Sequence, residues 1–124
     1  MRILLDTHLL LWALAAPAKL PADAIRLIKH ADVYVSAASI WEISIKIALG
    51  KMRGEPRELI DALDQAGFRP LPISHEHAAR VFGLPAVHRD PFDRILVAQA
   101  LSEPMILLTN DAVLAGYGEI VRVV

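Results

Sequence analysis

Four acidic residues stand at the ends of apolar runs or inside them, where an unpartnered carboxylate is costly to bury. Two of them follow apolar runs, one precedes such a run, and one interrupts an apolar stretch. They are Asp6, Glu42, Asp93 and Asp111. Carboxylates that leave water need a charged partner or a metal. Four of them in a small hydrophobic chain therefore indicate a shared site for a hard cation.

The chemistry of such a cluster follows from its charge. Carboxylates about 4 Å apart repel by about 4 kcal/mol at an effective dielectric of roughly 20, so the cluster needs a divalent cation or a shifted pKa. The chain has no cysteine, which excludes thiolate ligands. An all-oxygen set favours Mg²⁺ or Mn²⁺ over zinc. Cations held in this way usually serve phosphate chemistry, because they activate water and neutralise phosphate oxygens.

Some of these acids also have a structural interpretation. Asp6 and Asp111 could each cap the helix that follows them. Glu42 could form an ion pair with Lys46, four residues further along the same helix. These alternatives remain open at the level of the sequence.

A fifth acid, Asp90, is the best candidate for a purely structural role. Pro91 follows it, and proline favours the first position of a helix. Asp90 is therefore predicted to be the N-cap. Asp93 falls at the third helical position, and we expect it to serve the site instead.

The elements that must position these acids alternate between strand and helix. Strands are predicted at 3–6, 33–35, 105–108 and 120–124, with a short extended piece at 68–73. Helices are predicted at 7–15, 22–30, from Ser36 or Ser39 to Gly50, 56–66, from the Ser74 cap to Phe82, 90–102, and 111–115 before Gly116. Proline residues predict a loop around Pro17 and Pro21.

The predicted strands are continuously apolar, which is typical of a parallel sheet covered on both faces. Ligands of such sheets bind at the carboxyl ends of the strands. Asp6 and Asp111 follow strands, Asp93 lies in the first turn of a helix, and Glu42 lies about one turn into a helix that follows a strand. The α/β pattern therefore predicts that the four acids converge.

Composition limits the remaining choices. A chain of 124 residues suits one domain, residues 1–124, and a net charge of −1 excludes the basic field of a non-specific nucleic-acid-coating protein. No apolar run approaches the roughly 20 residues of a membrane span, and we predict a cytoplasmic protein. The 55% of hydrophobic residues indicates a partner surface. We expect it on Leu9, Leu10, Trp12 and Ala13 of the first helix and on Ile40, Trp41 and Ile45 of the Glu42 helix.

Four stretches of the chain resemble the PIN-domain family, and within it the VapC-like ribonuclease toxins of bacterial toxin–antitoxin pairs. They are ILLDTHLLLWAL, SAASIWEISIKIALGKM, HRDPFDRILVAQAL and ILLTNDAVLAGYG. The resemblance implies a three-layer α/β/α sandwich around a parallel sheet. It also implies Mg²⁺- or Mn²⁺-dependent endoribonuclease activity, a homodimer and a cognate antitoxin. The family's acids map onto Asp6, Glu42, Asp93 and Asp111.

The leading hypothesis is therefore a metal-dependent ribonuclease in which these acids hold the cation and act in catalysis. Cationic side chains would hold the RNA backbone, and hydroxyl groups would orient the acids or the water held by the metal. The predicted substrate contacts are Lys46, Arg89, Arg94, Thr7 and Thr109, and His8 and His88 are further candidates.

Two other classes of protein compete with this hypothesis. A phosphoaspartyl phosphatase also places an aspartate after its first strand, but it usually has a second acid two residues later, where this chain has His8. A non-catalytic domain that binds RNA or protein is the other alternative. Such a domain has no need of four costly carboxylates.

Overall fold

Five strands form a wholly parallel sheet in the computed structural model, which describes residues 1–124. They are β1 (Arg2–Leu5), β2 (Asp32–Ser36), β3 (Arg69–Leu71), β4 (Ile106–Thr109) and β5 (Val121–Val123). Their order across the sheet is β3-β2-β1-β4-β5. The winding therefore reverses between β1 and β4, and this is the position at which open α/β sheets bind their ligands.

Six α-helices and three short 3₁₀ segments connect the strands. The helices are α1 (Thr7–Ala15), α2 (Ala22–His30), α3 (Ala37–Ala48), α4 (Pro56–Gln65), α5 (His75–Arg80) and α6 (Pro91–Ser102). The 3₁₀ segments are Pro17–Lys19, Val81–Gly83 and Ala112–Tyr117. None of the helices combines the length and the apolar character that crossing a bilayer requires.

The sheet separates two hydrophobic cores, and β1 contributes to both. Ile3 and Leu5 point into a core shared with α1, α2, α3 and α4. Leu4 points to the opposite face, into a core formed mainly with α6. All three side chains are fully buried, and each contributes about 1.5–3 kcal/mol by leaving water. The predicted three-layer α/β/α sandwich is confirmed.

Local signals set most of the helix ends. The bounds 7–15 and 22–30 are those predicted. Of the two candidate starts for α3, Ser36 is correct, because its hydroxyl accepts a hydrogen bond from the Ala38 N–H at 2.9 Å. The predicted loop after α1 contains the 3₁₀ turn Pro17–Lys19 instead of wholly irregular chain. Proline is compatible with the first position of such a turn.

The predicted end of the segment after β4 was wrong. Gly116 lies inside this 3₁₀ segment, which continues to Tyr117 and ends before Gly118. Gly118 has φ of 106°, a conformation that favours glycine. Gly116 serves packing instead, since a Cβ there would lie 2.8 Å from Val87 Cγ1.

Candidate metal centre

Asp6 lies just past the carboxyl end of β1 and is 4% exposed. Its Oδ1 accepts a hydrogen bond from the Leu9 N–H at 2.8 Å, so the side chain caps α1. Its Oδ2 accepts a short hydrogen bond from the Thr109 hydroxyl. Burial raises the pKa of Asp6, and the hydrogen bonds from Thr109 and Leu9 oppose that rise. The cap predicted as an alternative is present, and the same carboxylate stands at the switch point of the sheet.

Thr109, the last residue of β4, is fully buried and connects two of the acids. Its hydroxyl donates to Asp6 and accepts from the Asp111 N–H at 3.0 Å. The geometry therefore supports the predicted orienting role of this threonine. Thr7 is different, because its hydroxyl donates to Ser39 Oγ at 3.0 Å and ties α1 to α3.

Asp93 lies in the first turn of α6 with its side chain 23% exposed. Desolvation, together with the negative charges of Asp90, Asp6 and Glu42, raises the pKa of Asp93 to about 6, and the nearby His88 acts in the opposite direction. Charges from three different elements thus act on one carboxylate. This shared electrostatic environment is consistent with the convergence predicted from the topology.

His88 lies between Asp93 and Asp111. Its Nε2 is 3.7 Å from Asp93 Oδ2 and 3.6 Å from Asp111 Oδ2. The candidate ligand atoms of the three residues all lie within 4.8 Å of one another. Ligands on opposite sides of Mg²⁺ are about 4.2 Å apart, so small side-chain shifts would let the two carboxylates hold a hard cation.

Sequence reasoning left His88 as one candidate contact among several and did not place it between two acids. The loop that carries it closes through Tyr117, whose hydroxyl accepts from the His88 N–H at 3.1 Å across 29 residues of sequence. The nearest local signal is the HRD triplet ahead of the capped α6. His8, the other candidate, is exposed and close enough to Asp6 for its charge to lower the pKa of that carboxyl group.

Glu42 enters the site from α3. Lys46 Nζ lies 3.4 Å from Glu42 Oε2, so the predicted ion pair is present, and the Glu42 side chain is only 16% exposed. The adjacent Trp41 packs edge-on against Phe92 of α6, with ring centroids 5.0 Å apart. This aromatic contact links the start of α3 to the turn that carries Asp93.

Asp90 has the geometry of the predicted N-cap. Its Oδ1 accepts from the Phe92 N–H at 2.8 Å and from the Asp93 N–H at 3.4 Å. The two acids at the start of α6 therefore have different surroundings. Asp90 satisfies the backbone of the helix, and Asp93 faces the other acids.

A cleft of about 450 Å³ opens beside Glu42 and Asp90. Three cationic side chains line it: Lys46, Lys51 and Arg89. Lys46 and Arg89 were predicted to contact the RNA backbone. Lys51 was missed, although it follows the Gly50 that ends the Glu42 helix and so was recoverable from the sequence.

Arg94 does not join this cleft. Its guanidinium donates to the backbone carbonyls of Val81, Pro85 and His88 and to the Tyr117 hydroxyl, at 2.9–3.4 Å. These hydrogen bonds hold the loop between α5 and α6 in place. They favour a structural role for Arg94 over the predicted contact with RNA.

The predicted apolar partner surface needs correction on α1. Leu9 and Leu10 are fully buried in the core and offer no surface. On α3, Trp41 is 60% exposed and Ile45 is partly exposed, so this part of the prediction has a structural basis. An apolar groove of about 680 Å³ continues from Trp41 between α3, α4 and β3, and none of the four acids lines it.

Comparisons with known proteins identify the same fold. The model of the PIN domain matches residues 3–120. A search of curated proteins found no match. Among solved structures, VapBC2 from Rickettsia felis, bound to a DNA fragment from its promoter, has a TM-score of 0.73 at 15% identity and covers 98% of both chains. FitAcB from Neisseria gonorrhoeae has a TM-score of 0.58 at 23% identity and covers 88% of this chain and 87% of that one.

Proposed function

This chain belongs to the PIN domain family, and on that premise we propose that it is a metal-dependent endoribonuclease and the toxin of a toxin–antitoxin pair. PIN domains are generally nucleases. The observation that carries the proposal is the grouping of Asp93 and Asp111 around His88, with Asp111 connected through Thr109 to Asp6 at the point where the sheet reverses its winding. We assign residues 1–124 to one nuclease domain.

In this proposal Asp6, Glu42, Asp93 and Asp111 hold Mg²⁺ or Mn²⁺. A bound divalent cation would supply charge neutralisation at the scissile phosphate and a more acidic water. The carboxylates also orient the attacking water for in-line displacement. Thr109 keeps Asp6 in one orientation, because its hydroxyl donates to Oδ2 of that carboxylate.

The basic side chains of the cleft would bind the RNA. Lys46, Lys51 and Arg89 line the cleft together with Glu42, so backbone phosphates beyond the scissile bond can bind along it. Contacts of this kind position a nucleic acid without reading its sequence.

The toxin assignment draws on the solved relatives. VapBC2 and FitAcB are toxin–antitoxin complexes, and we propose by analogy a co-encoded antitoxin, a homodimer and a cytoplasmic site of action. The exposed apolar side chains of α3, Trp41 and Ile45, are suited to a protein partner.

The residue two positions after Asp6 argues against a phosphoaspartyl phosphatase. That chemistry usually needs a second acid at this position, and this chain has His8 there.

The test is cleavage of a labelled single-stranded RNA by the purified protein with Mg²⁺, with Mn²⁺ and with excess EDTA. We expect cleavage only with a divalent cation, and none by the Asp6→Asn variant under the same conditions. Cleavage that survives thorough chelation would exclude the metal mechanism. Binding of RNA without cleavage under any cation would make the chain a binding domain.

A further inference from the structure

Four hydrogen bonds hold His88 at the acid cluster. Its backbone N–H donates to the Tyr117 hydroxyl at 3.1 Å. Its carbonyl accepts from Arg94 Nη1 at 3.4 Å and from the Tyr117 hydroxyl at 3.5 Å. Its ring Nδ1 accepts from the Asp90 N–H at 3.0 Å. His88 is therefore held both at its backbone and at the Nδ1 atom of its ring.

The last of these bonds determines where the ring carries its proton. A nitrogen that accepts a hydrogen bond has a free lone pair, so the neutral imidazole carries its hydrogen on the other nitrogen. In His88 that nitrogen is Nε2, which lies between Asp93 and Asp111. Nε2 is thus a donor directed into the acid cluster.

This polarity is the reverse of that found in metal ligands. A histidine that binds a metal needs the lone pair on the ligating nitrogen, and its other ring N–H is almost always donated to a carboxylate, a carbonyl or water. For Nε2 of His88 to ligate, Nδ1 would have to carry a hydrogen that faces the Asp90 N–H. The two donors would then oppose each other.

The Nε2–H is also uncommitted. Its distances of 3.7 and 3.6 Å to the Asp93 and Asp111 oxygens exceed ordinary hydrogen-bond lengths. The group lies beside the two carboxylates without a close acceptor on either. An oxygen atom that entered between them would find this donor already in place.

We propose that His88 is a hydrogen-bond donor to the substrate and not a ligand of the cation: its Nε2–H binds a non-bridging oxygen of the scissile phosphate. The proposal rests on the nuclease function proposed above. Arg94 and Tyr117 act through His88 as positioning residues, since they hold its backbone and not the substrate. The cation site then keeps an all-oxygen ligand set, despite the nearby imidazole.

Two substitutions separate the two nitrogens of the ring. His88→Asn places a carbonyl oxygen near the position of Nδ1, so the Asp90 N–H keeps an acceptor, but nothing occupies the position of Nε2. His88→Gln extends an amide N–H toward the position of Nε2 and restores a donor there. His88→Asn therefore removes the donor at the position of Nε2, and His88→Gln returns it. Both replacement side chains are uncharged.

The first measurement needs no RNA. Pulsed electron paramagnetic resonance of the Mn²⁺-loaded wild-type protein should show no directly coordinated nitrogen. Titration with Mn²⁺ should give affinities within about twofold for the wild type and both variants, whereas loss of a group that supports the ligands would cost about 10–100-fold. A nitrogen coupling that disappears in His88→Asn would make His88 a ligand, and a tenfold loss of Mn²⁺ affinity would make it a support of the ligands; either result overturns the proposal.

The second measurement uses a fluorescein-labelled single-stranded RNA, bound in Ca²⁺ and cleaved in Mn²⁺. His88→Asn should weaken binding or lower kcat/KM by about tenfold, the size of one hydrogen bond of about 1.4 kcal/mol, and His88→Gln should recover part of the loss. If the His88→Asn variant binds and cleaves RNA as well as the wild type, the donor role is wrong. A wild-type protein that neither binds nor cleaves RNA defeats the nuclease function, and the Mn²⁺ spectra still decide whether His88 is a ligand.

Discussion

The candidate metal centre has two halves that are held in different ways. The inner half, Asp6 and Thr109, lies at the ends of the two central strands and is almost completely buried. The outer half, His88, Asp93 and Asp111, has side chains that are 23–39% exposed. The inner half is fixed by the sheet, whereas His88 of the outer half lies on a loop anchored by Arg94.

The contrast shows how a small fold can keep carboxylates close together before a cation arrives. Burying the Asp6 charge is unfavourable, and its hydrogen bonds to Thr109 and Leu9 offset part of that cost. The outer acids keep contact with water, so they can rearrange when a cation or a phosphate enters. We expect the inner half to set the position of the site and the outer half to respond to its occupants.

The largest effect should come from the inner half. Asp6→Asn keeps the shape of the side chain, and asparagine is as good an N-cap as aspartate. The variant should therefore fold, while its RNA cleavage falls by more than about 100-fold, beyond the range seen for groups that only support ligands. Circular dichroism and single-turnover cleavage check the two parts of this prediction. Full activity in Asp6→Asn would mean that the inner half is structural only.

Cation binding should stabilise the protein through both halves together. A ligand that binds only the folded state adds about 2.7 kcal/mol at a hundredfold excess over its Kd. We expect Mn²⁺ to raise the Tm of the wild type and to have little effect on a variant with both Asp6→Asn and Asp93→Asn. Equal shifts in the two proteins would show that the cation binds elsewhere.

Without a cation, the outer half should make stability depend on pH. The pKa of Asp93 is about 6 in the folded protein, above its ordinary value of 3.8. Because the folded state binds its proton more tightly, stability should be greatest below pH 3.8 for this group and decline as the pH rises through 6. Thermal unfolding in EDTA between pH 4 and 7 should show this decline in the wild type and a flatter profile in Asp93→Asn.

Much of the fold was predictable, because buried parallel strands and helix caps leave local signals. The apolar strands around Leu4 and Leu107, the Ser36 cap and the Asp90–Pro91 start of α6 could all be found this way. The part of α1 that is exposed at the surface could not be predicted. Its run from Leu9 to Leu14 is apolar on every face, so no periodicity shows that Leu9 and Leu10 are buried.

The candidate site was predictable only in its acids. The sequence places Asp6 and Asp111 at strand ends, and parallel topology brings such ends to one edge. The location of His88 depends on contacts between distant parts of the chain, such as the one with Tyr117. The catalytic and ligand roles of the acids stay predictions.

A smaller effect separates the two acids at the start of α6. Asp90 caps the helix, so Asp90→Ala should lower the free energy of unfolding by about 0.5–2 kcal/mol and leave much of the activity. Asp93→Ala should change stability little, or raise it by removing repulsion among the acids, and reduce cleavage to background. Denaturant unfolding and single-turnover cleavage of both variants provide the comparison. If Asp90→Ala abolished cleavage and Asp93→Ala did not, the cation ligand at the start of α6 would be Asp90 and not Asp93.

The smallest effect concerns Glu42, which belongs to neither half and could be no more than the partner of Lys46. An ion pair four residues apart on a helix is worth about 0.3–0.5 kcal/mol, and a double-mutant cycle with Glu42→Gln and Lys46→Met should return a coupling of that size. The decisive comparison is the affinity for Mn²⁺. If Glu42 is a ligand, Glu42→Gln weakens Mn²⁺ binding and Lys46→Met does not, because the lysine contributes no ligand atom. If neither substitution changes Mn²⁺ affinity, the ion pair is the whole role of Glu42. The cation would then be held by the inner and outer halves alone.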